Sequence, residues 1–202
     1  MQLIGMLDSP YVRRVAIALR LLDLPFEHRP LSVFRQMPQF QAINPVVKAP
    51  TLVDDGGEVL MDSSLILRWL QARARRSLEP AEPAALARDL RMQGLALAAC
   101  EKTVQIVYEN DLRPEAKRHA PWLERITAQL HAAHAALDAE VARQAPQPSA
   151  AALTHGSITA AVAWTFTQFM LPGSCPAARY PALADFTAQA EALPVFTAFP
   201  LA

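Results

Sequence analysis

Three short stretches in the first third of the chain put polar groups where chemistry can use them. Ser9-Pro10 follows a short apolar run, Gln2 to Met6, and precedes a helical pattern. Serine is a good N-cap, and proline suits the first helical position, whose N–H would have no partner in any case. Asp62-Ser63 opens a second helical pattern. Taken alone the pair is a good cap. Between them, Asn44-Pro45-Val46-Val47-Lys48-Ala49-Pro50-Thr51-Leu52 sets a proline directly before a strand.

Other residue types that often carry chemistry do not assemble in the sequence. Cys100 and Cys175 form no Cys-x-x-Cys pair, so nothing requires an oxidising compartment, and a reducing cytoplasm is the expectation. Among the five histidines, His131 and His134 at i, i+3 come nearest to a ligand pair and have no third partner in sequence, so no metal is expected. Arg13 and Arg14 read as a solvated helix face. A twin-arginine signal is disfavoured because Arg20 and Asp23 interrupt the apolar run that follows.

The elements that must position the three stretches follow from periodicity. Gln2 to Met6 reads as a strand. Tyr11 to Leu22 places Val12, Val15, Ile17, Ala18, Leu19 and Leu22 mostly at helical spacing. Phe26 to Leu31 is a second strand, Gln36 to Gln41 one or two helical turns, and Thr51 to Val53 a third strand. Asp55-Gly56-Gly57 is turn chemistry that joins it to Glu58 to Met61 as a hairpin. From Ser63 a helix is expected with Leu65, Ile66, Trp69 and Leu70 on one face and Arg68, Arg73, Arg75 and Arg76 on the other. Ser77 to Pro83 is the best linker, and beyond it no strand signal survives. Helices are expected over Ala84 to Asn110, Trp122 to Gln144, Thr154 to Met170 and Pro181 to Leu193, with a Pro/Ala-rich loop at Ala145 to Ala152. Leu153 and Ile158 are spaced as a hydrophobic staple around Thr154.

Composition narrows the function classes. Of 202 residues, 52% are apolar and 19% charged, enough to bury a core and too hydrophobic for disorder. Nineteen basic residues balance nineteen acidic ones, so the basic excess that a nucleic-acid binder uses to release counterions is missing. No apolar stretch approaches the roughly 20 residues that span a bilayer.

The βαβ, short helix, ββα order, with Ser9 at the first helix, the proline before the third strand and Asp62-Ser63 at the next helix, resembles the thioredoxin-like amino-terminal domain of the cytosolic glutathione transferases. The helical second half is similar to that family's carboxy-terminal domain. The resemblance implies an α/β domain over about residues 1–77 that binds glutathione and an all-helical domain over about 84–202 that contributes the electrophile site. It implies a cis Pro50 and an Ala49 whose backbone pairs, like an added strand, with the cysteinyl part of the tripeptide. It implies that Asp62 and Ser63 hold the γ-glutamyl end, that Lys48 can reach the glycyl carboxylate, and that Tyr108 can line the electrophile pocket. Ser9 occupies the place from which serine-type members donate to the glutathione sulfur. Lowering a thiol pKa by two units is worth about 2.7 kcal/mol, and no base is needed for it.

The implied activity is conjugation of the glutathione thiolate to small apolar electrophiles, a detoxification chemistry, by a cytoplasmic homodimer with glutathione as co-substrate. A glutathione-dependent isomerase of the maleylacetoacetate type and a non-catalytic glutathione-binding or interaction module remain open beside it. Two departures stand out. Val47 replaces the glycine of the commoner Asn-Pro-x-Gly-Lys-Val-Pro wording, with Ala49 in place of its valine. Ser157 stands where the family usually has aspartate, which is expected to weaken the cap of that helix.

Overall fold

Leu3, Ile4 and Leu52 are fully buried, and they mark the two central strands of a four-stranded sheet. In the computed structural model, which describes residues 1–144 and 148–201, the sheet has the order β2-β1-β3-β4. Its strands are β1 (Gln2–Ile4), β2 (Glu27–Arg29), β3 (Thr51–Val53) and β4 (Val59–Met61). β1 runs parallel to β2, with Gln2 opposite Glu27, and antiparallel to β3, with Ile4 opposite Thr51. β4 closes the hairpin predicted around Gly56-Gly57, with Thr51 opposite Met61. Helices α1 (Pro10–Leu21), α2 (Met37–Gln41) and α3 (Ser63–Arg73) complete a thioredoxin-like α/β fold.

Helix α1 is buried almost all round: Val12, Val15, Ala16, Ile17, Ala18 and Leu19 are at 0% exposure. Arg13 and Arg14, expected on a solvated face, are each 1% exposed. For Arg13 the reason lies far along the chain. Residues 193–201 fold with this unit, Met1–Glu79, and not with the helical half to which the sequence assigns them. The short helix α8 (Pro194–Thr197) packs on α1. Arg13 Nε donates to the Phe199 carbonyl at 2.8 Å, its guanidinium lies 5.7 Å from the centre of the Phe196 ring, and Phe199 meets Phe26 at 5.9 Å. A planar cation can be buried when its N–H groups are bonded and its face rests on an aromatic ring. The α3 face also differs from expectation: Ile66, Leu67 and Leu70 face inward, while Leu65 is 62% exposed.

The second unit, Pro80–Ala192, is all helical among its described residues. It comprises α4 (Pro83–Val107), a π-helical turn over Tyr108–Leu112, α5 (Ala120–Gln144), α6 (His155–Met170) and α7 (Pro181–Glu191). Residues 145–147 of the expected Ala145 to Ala152 loop lie outside the described residues. α4 packs mainly against α6 and α5, and α7 against both of these.

The start of α6 corrects the weakened cap expected from Ser157. Thr154 and Ser157 form a complete capping box, with Thr154 N–H donating to Ser157 Oγ at 2.8 Å. The missing aspartate is replaced in space by Asp89 of α4. Its buried carboxylate accepts from Gly156 N–H at 3.0 and 3.1 Å and from the Thr154 hydroxyl. A Cβ at Gly156 would lie 2.8 Å from the Asp89 carbonyl oxygen, so glycine is what lets the two helices approach this closely. The staple residues Leu153 and Ile158 are both buried.

A buried polar cluster links α5 to the segment before α7. His134 Nδ1 lies 3.6 Å from Cys175 Sγ, and His131 Nδ1 lies 2.9 Å from the Tyr180 hydroxyl. Trp164 packs edge-on against His134 at 5.3 Å. Burial holds the His134 pKa down at about 4, with His131 beside it adding to the effect, and burial pushes the Cys175 thiol up.

Candidate functional site

The residues singled out in the first third of the sequence share the first unit, and the sheet register brings two of their segments together. Because Ile4 pairs with Thr51, the residue after β1 and the residue before Pro50 become neighbours. That residue is Gly5, with φ +138°. A Cβ there would lie 2.6 Å from Val12 Cγ2 and 3.2 Å from Ala49 Cβ, so only glycine lets the first turn of α1 and the Ala49 loop close on the strand end. His28 from β2 fixes the spot through its Nε2, 2.8 Å from the Gly5 carbonyl oxygen.

Ser9 is the N-cap of α1 and is half-buried. Its Oγ accepts from Val12 N–H over 3.4 Å, a long contact that occupies one lone pair. Among the described residues the Ser9 O–H donates to no acceptor. Asp8 beside it is half-buried, and that burial raises its carboxyl pKa against the lowering effect of Ser9 N–H and Arg35.

The Ala49–Pro50 peptide bond is cis. The loop before it is held by a buried side chain whose role no local pattern marks. Asn44, 3% exposed, donates to Thr51 Oγ1 at 2.8 Å, and Thr51 Oγ1 donates to the Lys48 carbonyl at 2.8 Å. Asn44 Oδ1 also accepts from Val46 N–H at 3.0 Å. Val47, the residue in the glycine position, has φ +53°, a left-handed conformation costly for a β-branched side chain. The Lys48 side chain is exposed, Ala49 is half-buried and Pro50 is buried.

Asp62 caps α3, accepting from Ser64 N–H at 2.9 Å, with φ +69°. Ser63 is 4% exposed. Arg14 of α1 reaches it, with Nη1 donating to Ser63 Oγ at 3.3 Å and standing 3.5 Å from Ser64 Oγ. Sequence reasoning missed this contact, and the only local signal for it was an arginine within an otherwise apolar helical pattern. Tyr108 belongs to the helical unit, in the π-helical turn that ends α4, where it is 45% exposed and partial burial raises its hydroxyl pKa. Among the described residues, no group of three His, Cys, Asp or Glu side chains is arranged to hold a metal ion. None of the described helices is long and apolar enough to cross a membrane.

Comparison with known proteins decides the family. A glutathione S-transferase from Methylobacterium radiotolerans, solved in complex with glutathione sulfonate, is 30% identical with a TM-score of 0.85, the match covering 100% of this chain and 95% of that one. The chain belongs to the glutathione transferase family. Residues 3–80 match the family model described as glutathione S-transferase, N-terminal domain. A glutathione transferase family member from Pseudomonas fluorescens Pf-5, solved with bound glutathione, is 27% identical with a TM-score of 0.84, covering 98% and 97% of the two chains. Glutathione S-transferase U4 of Arabidopsis thaliana is 32% identical over 69 residues, 34% of this chain and 31% of its own length. A second Arabidopsis relative, glutathione S-transferase U1, is 30% identical over 83 residues, 37% of its length. The chain thus spans about a third of the length of the curated relatives it matches. In this glutathione transferase family member, Ser9, the Lys48-Ala49-Pro50 loop and the Asp62-Ser63 helix start all fall within the matched residues.

Proposed function

We propose that the chain binds glutathione in the first unit and transfers its thiolate to small apolar electrophiles. The observation that carries this reading is the hydroxyl of Ser9: half-buried at the N-terminus of α1, its oxygen taken on one lone pair by Val12 N–H, its proton given to no acceptor among the described residues. Accepting one bond polarises the hydroxyl and makes its O–H a better donor to a thiolate. A thiol of pKa about 8.5 is only a few per cent ionised at neutral pH, and a charge-assisted O–H···S⁻ bond together with the helix N-terminus can supply about 2.7 kcal/mol, two units of pKa. In this reading Ala49 offers its backbone N–H and C=O to the cysteinyl residue, Asp62 and Ser63 hold the γ-glutamyl ammonium and carboxylate, and Lys48 takes the glycyl carboxylate. Tyr108 is assigned to the electrophile site. Glutathione and glutathione sulfonate in the relatives' solved structures support the ligand assignment.

The rest of the catalytic effect is proximity, since a bound thiolate and a bound electrophile react without the entropy loss of encounter. A cytoplasmic homodimer belongs to the same reading. The exposed Val59, Met61 and Leu65 on β4 and α3 support an interface with a second copy, and sedimentation equilibrium giving one chain mass would remove it.

The test is the ultraviolet thiolate band of bound glutathione followed against pH. The native protein is expected to ionise the thiol well below pH 8.5, and Ser9→Ala to return it toward that value with turnover of a chlorinated aromatic substrate at pH 7 reduced about 25-fold, the change in thiolate fraction that two pKa units bring. The lost cap at 3.4 Å costs little, so the variant stays folded. An unshifted thiol in the native protein leaves a binding module and no transferase.

A further inference from the structure

Ser63 in the reading above needs its hydroxyl to donate outward, and nothing about a serine at a helix start ensures that. A hydroxyl has one proton and two lone pairs, so it can serve a carboxylate as donor or an ammonium as acceptor. Arg14 narrows the choice: it takes one lone pair, leaves the proton and the other lone pair outward, and through its charge disfavours an ammonium at that outward side. Its Nη1 donates to Ser63 Oγ at 3.3 Å from inside the unit, where Arg14 is 1% exposed and Ser63 4%. A guanidinium stays protonated at every accessible pH and accepts nothing, so the inner side of Ser63 Oγ is permanently the acceptor side. The O–H is left to point away from α1. A full positive charge also stands behind the N-terminal turn of an eleven-residue helix, adding to the partial charge of its free N–H groups.

We propose that Arg14 is a positioning residue that sets the polarity of Ser63, making the N-terminus of α3 selective for a ligand carboxylate; this rests on the glutathione reading, in which that group is the γ-glutamyl carboxylate. Lysine in its place keeps the charge. Its shorter side chain ends before the position of Nη1, the single nitrogen that stands 3.3 Å from Ser63 Oγ and 3.5 Å from Ser64 Oγ.

The experiment measures calorimetric binding of two peptides, S-methylglutathione and the same peptide with its γ-glutamyl carboxylate amidated. The methyl group keeps the Ser9 thiolate effect out of the readout. Arg14→Lys is expected to weaken the first peptide about 10-fold and leave the second unchanged within about 2-fold. Ser63→Ala is expected to do the same, and the double variant to bind no more weakly than Ser63→Ala alone, since the two residues act through one hydroxyl. In turnover, Arg14→Lys raises KM for glutathione about 10-fold and leaves kcat within about 2-fold. Equal weakening of both peptides by Arg14→Lys, or fold-changes that multiply in the double variant, overturns the proposal while the glutathione reading survives. A native protein that binds neither peptide overturns both. Should Arg14→Lys not fold, the native protein carries the test: the Arg14 side-chain nitrogen resonances are expected to shift with S-methylglutathione and not with the amidated peptide, and identical shifts with both overturn the role.

Discussion

Removing the Asp89 carboxylate measures how one helix replaces a residue missing from another. In Asp89→Ala, Gly156 N–H loses an acceptor at 3.0 Å in a buried position, and the Thr154 hydroxyl loses its partner as well. Thr154 can turn to Ser157 Oγ, 3.3 Å away, so its loss is small. The Gly156 N–H has no such substitute, and a buried donor left unsatisfied costs about 1–3 kcal/mol. The negative charge at the start of α6 adds about 0.3–2 kcal/mol. The sum is about 1–5 kcal/mol, which at a slope of about 2 kcal/mol per molar urea moves the unfolding midpoint down by about 0.7–2.5 M. Asp89→Asn retains an acceptor oxygen and is expected to lose about half as much. Gly156→Ala drives a Cβ to within 2.8 Å of the Asp89 carbonyl oxygen and is expected to cost about 1–3 kcal/mol by prising α4 from α6. Urea titration followed by far-ultraviolet circular dichroism reads all three. If Asp89→Ala unfolds within about 0.5 kcal/mol of the native chain, the carboxylate is not what closes this helix start.

Two further outcomes follow from the backbone and the buried cluster. Val47 has φ +53°, which costs an L-residue about 1–2 kcal/mol, whereas glycine avoids that cost and returns only about 0.5–1 kcal/mol of chain entropy. Val47→Gly is therefore expected to leave stability level or raised by up to about 1 kcal/mol, measured by the same urea titration, and a loss above about 1.5 kcal/mol would contradict the argument. His134 has its folded pKa lowered to about 4 by burial, below an unfolded value near 6.5, so the unfolded chain binds the extra proton. Its contribution is complete above about pH 6.5 and is lost as pH falls toward 4, on the order of 3 kcal/mol across that window. Stability measured against pH is expected to lose that slope in His134→Gln, and an unchanged slope would assign the acid sensitivity to other groups.

What could be read from the sequence was whatever is local. Ser9-Pro10, Thr51 to Val53, the Gly56-Gly57 turn and the Leu153/Ile158 staple are decided by neighbours within a few positions, and each lies where its pattern places it. The misjudged residues are those whose partners come from a distant segment. Arg13 is buried because Phe196 and Phe199 come back to cover it, and a charge on a helix carries no mark of a partner 186 positions later. Ser157 read as a defect because the compensating carboxylate arrives from α4, 67 positions before Gly156. Leu65, expected beside Ile66 and Leu70, is exposed while Leu67 is buried, because helical spacing narrows which residues lie near one side and only the packed neighbour fixes where that side is centred. The same limit applies at the candidate site. Ser63 and Arg14 are 49 positions apart, and the hydroxyl acquires a direction only when the parallel and antiparallel pairings of β1 have folded α1 and α3 onto one sheet. Residue type names what a group can do, and the long-range partner decides which of those things it is left free to do.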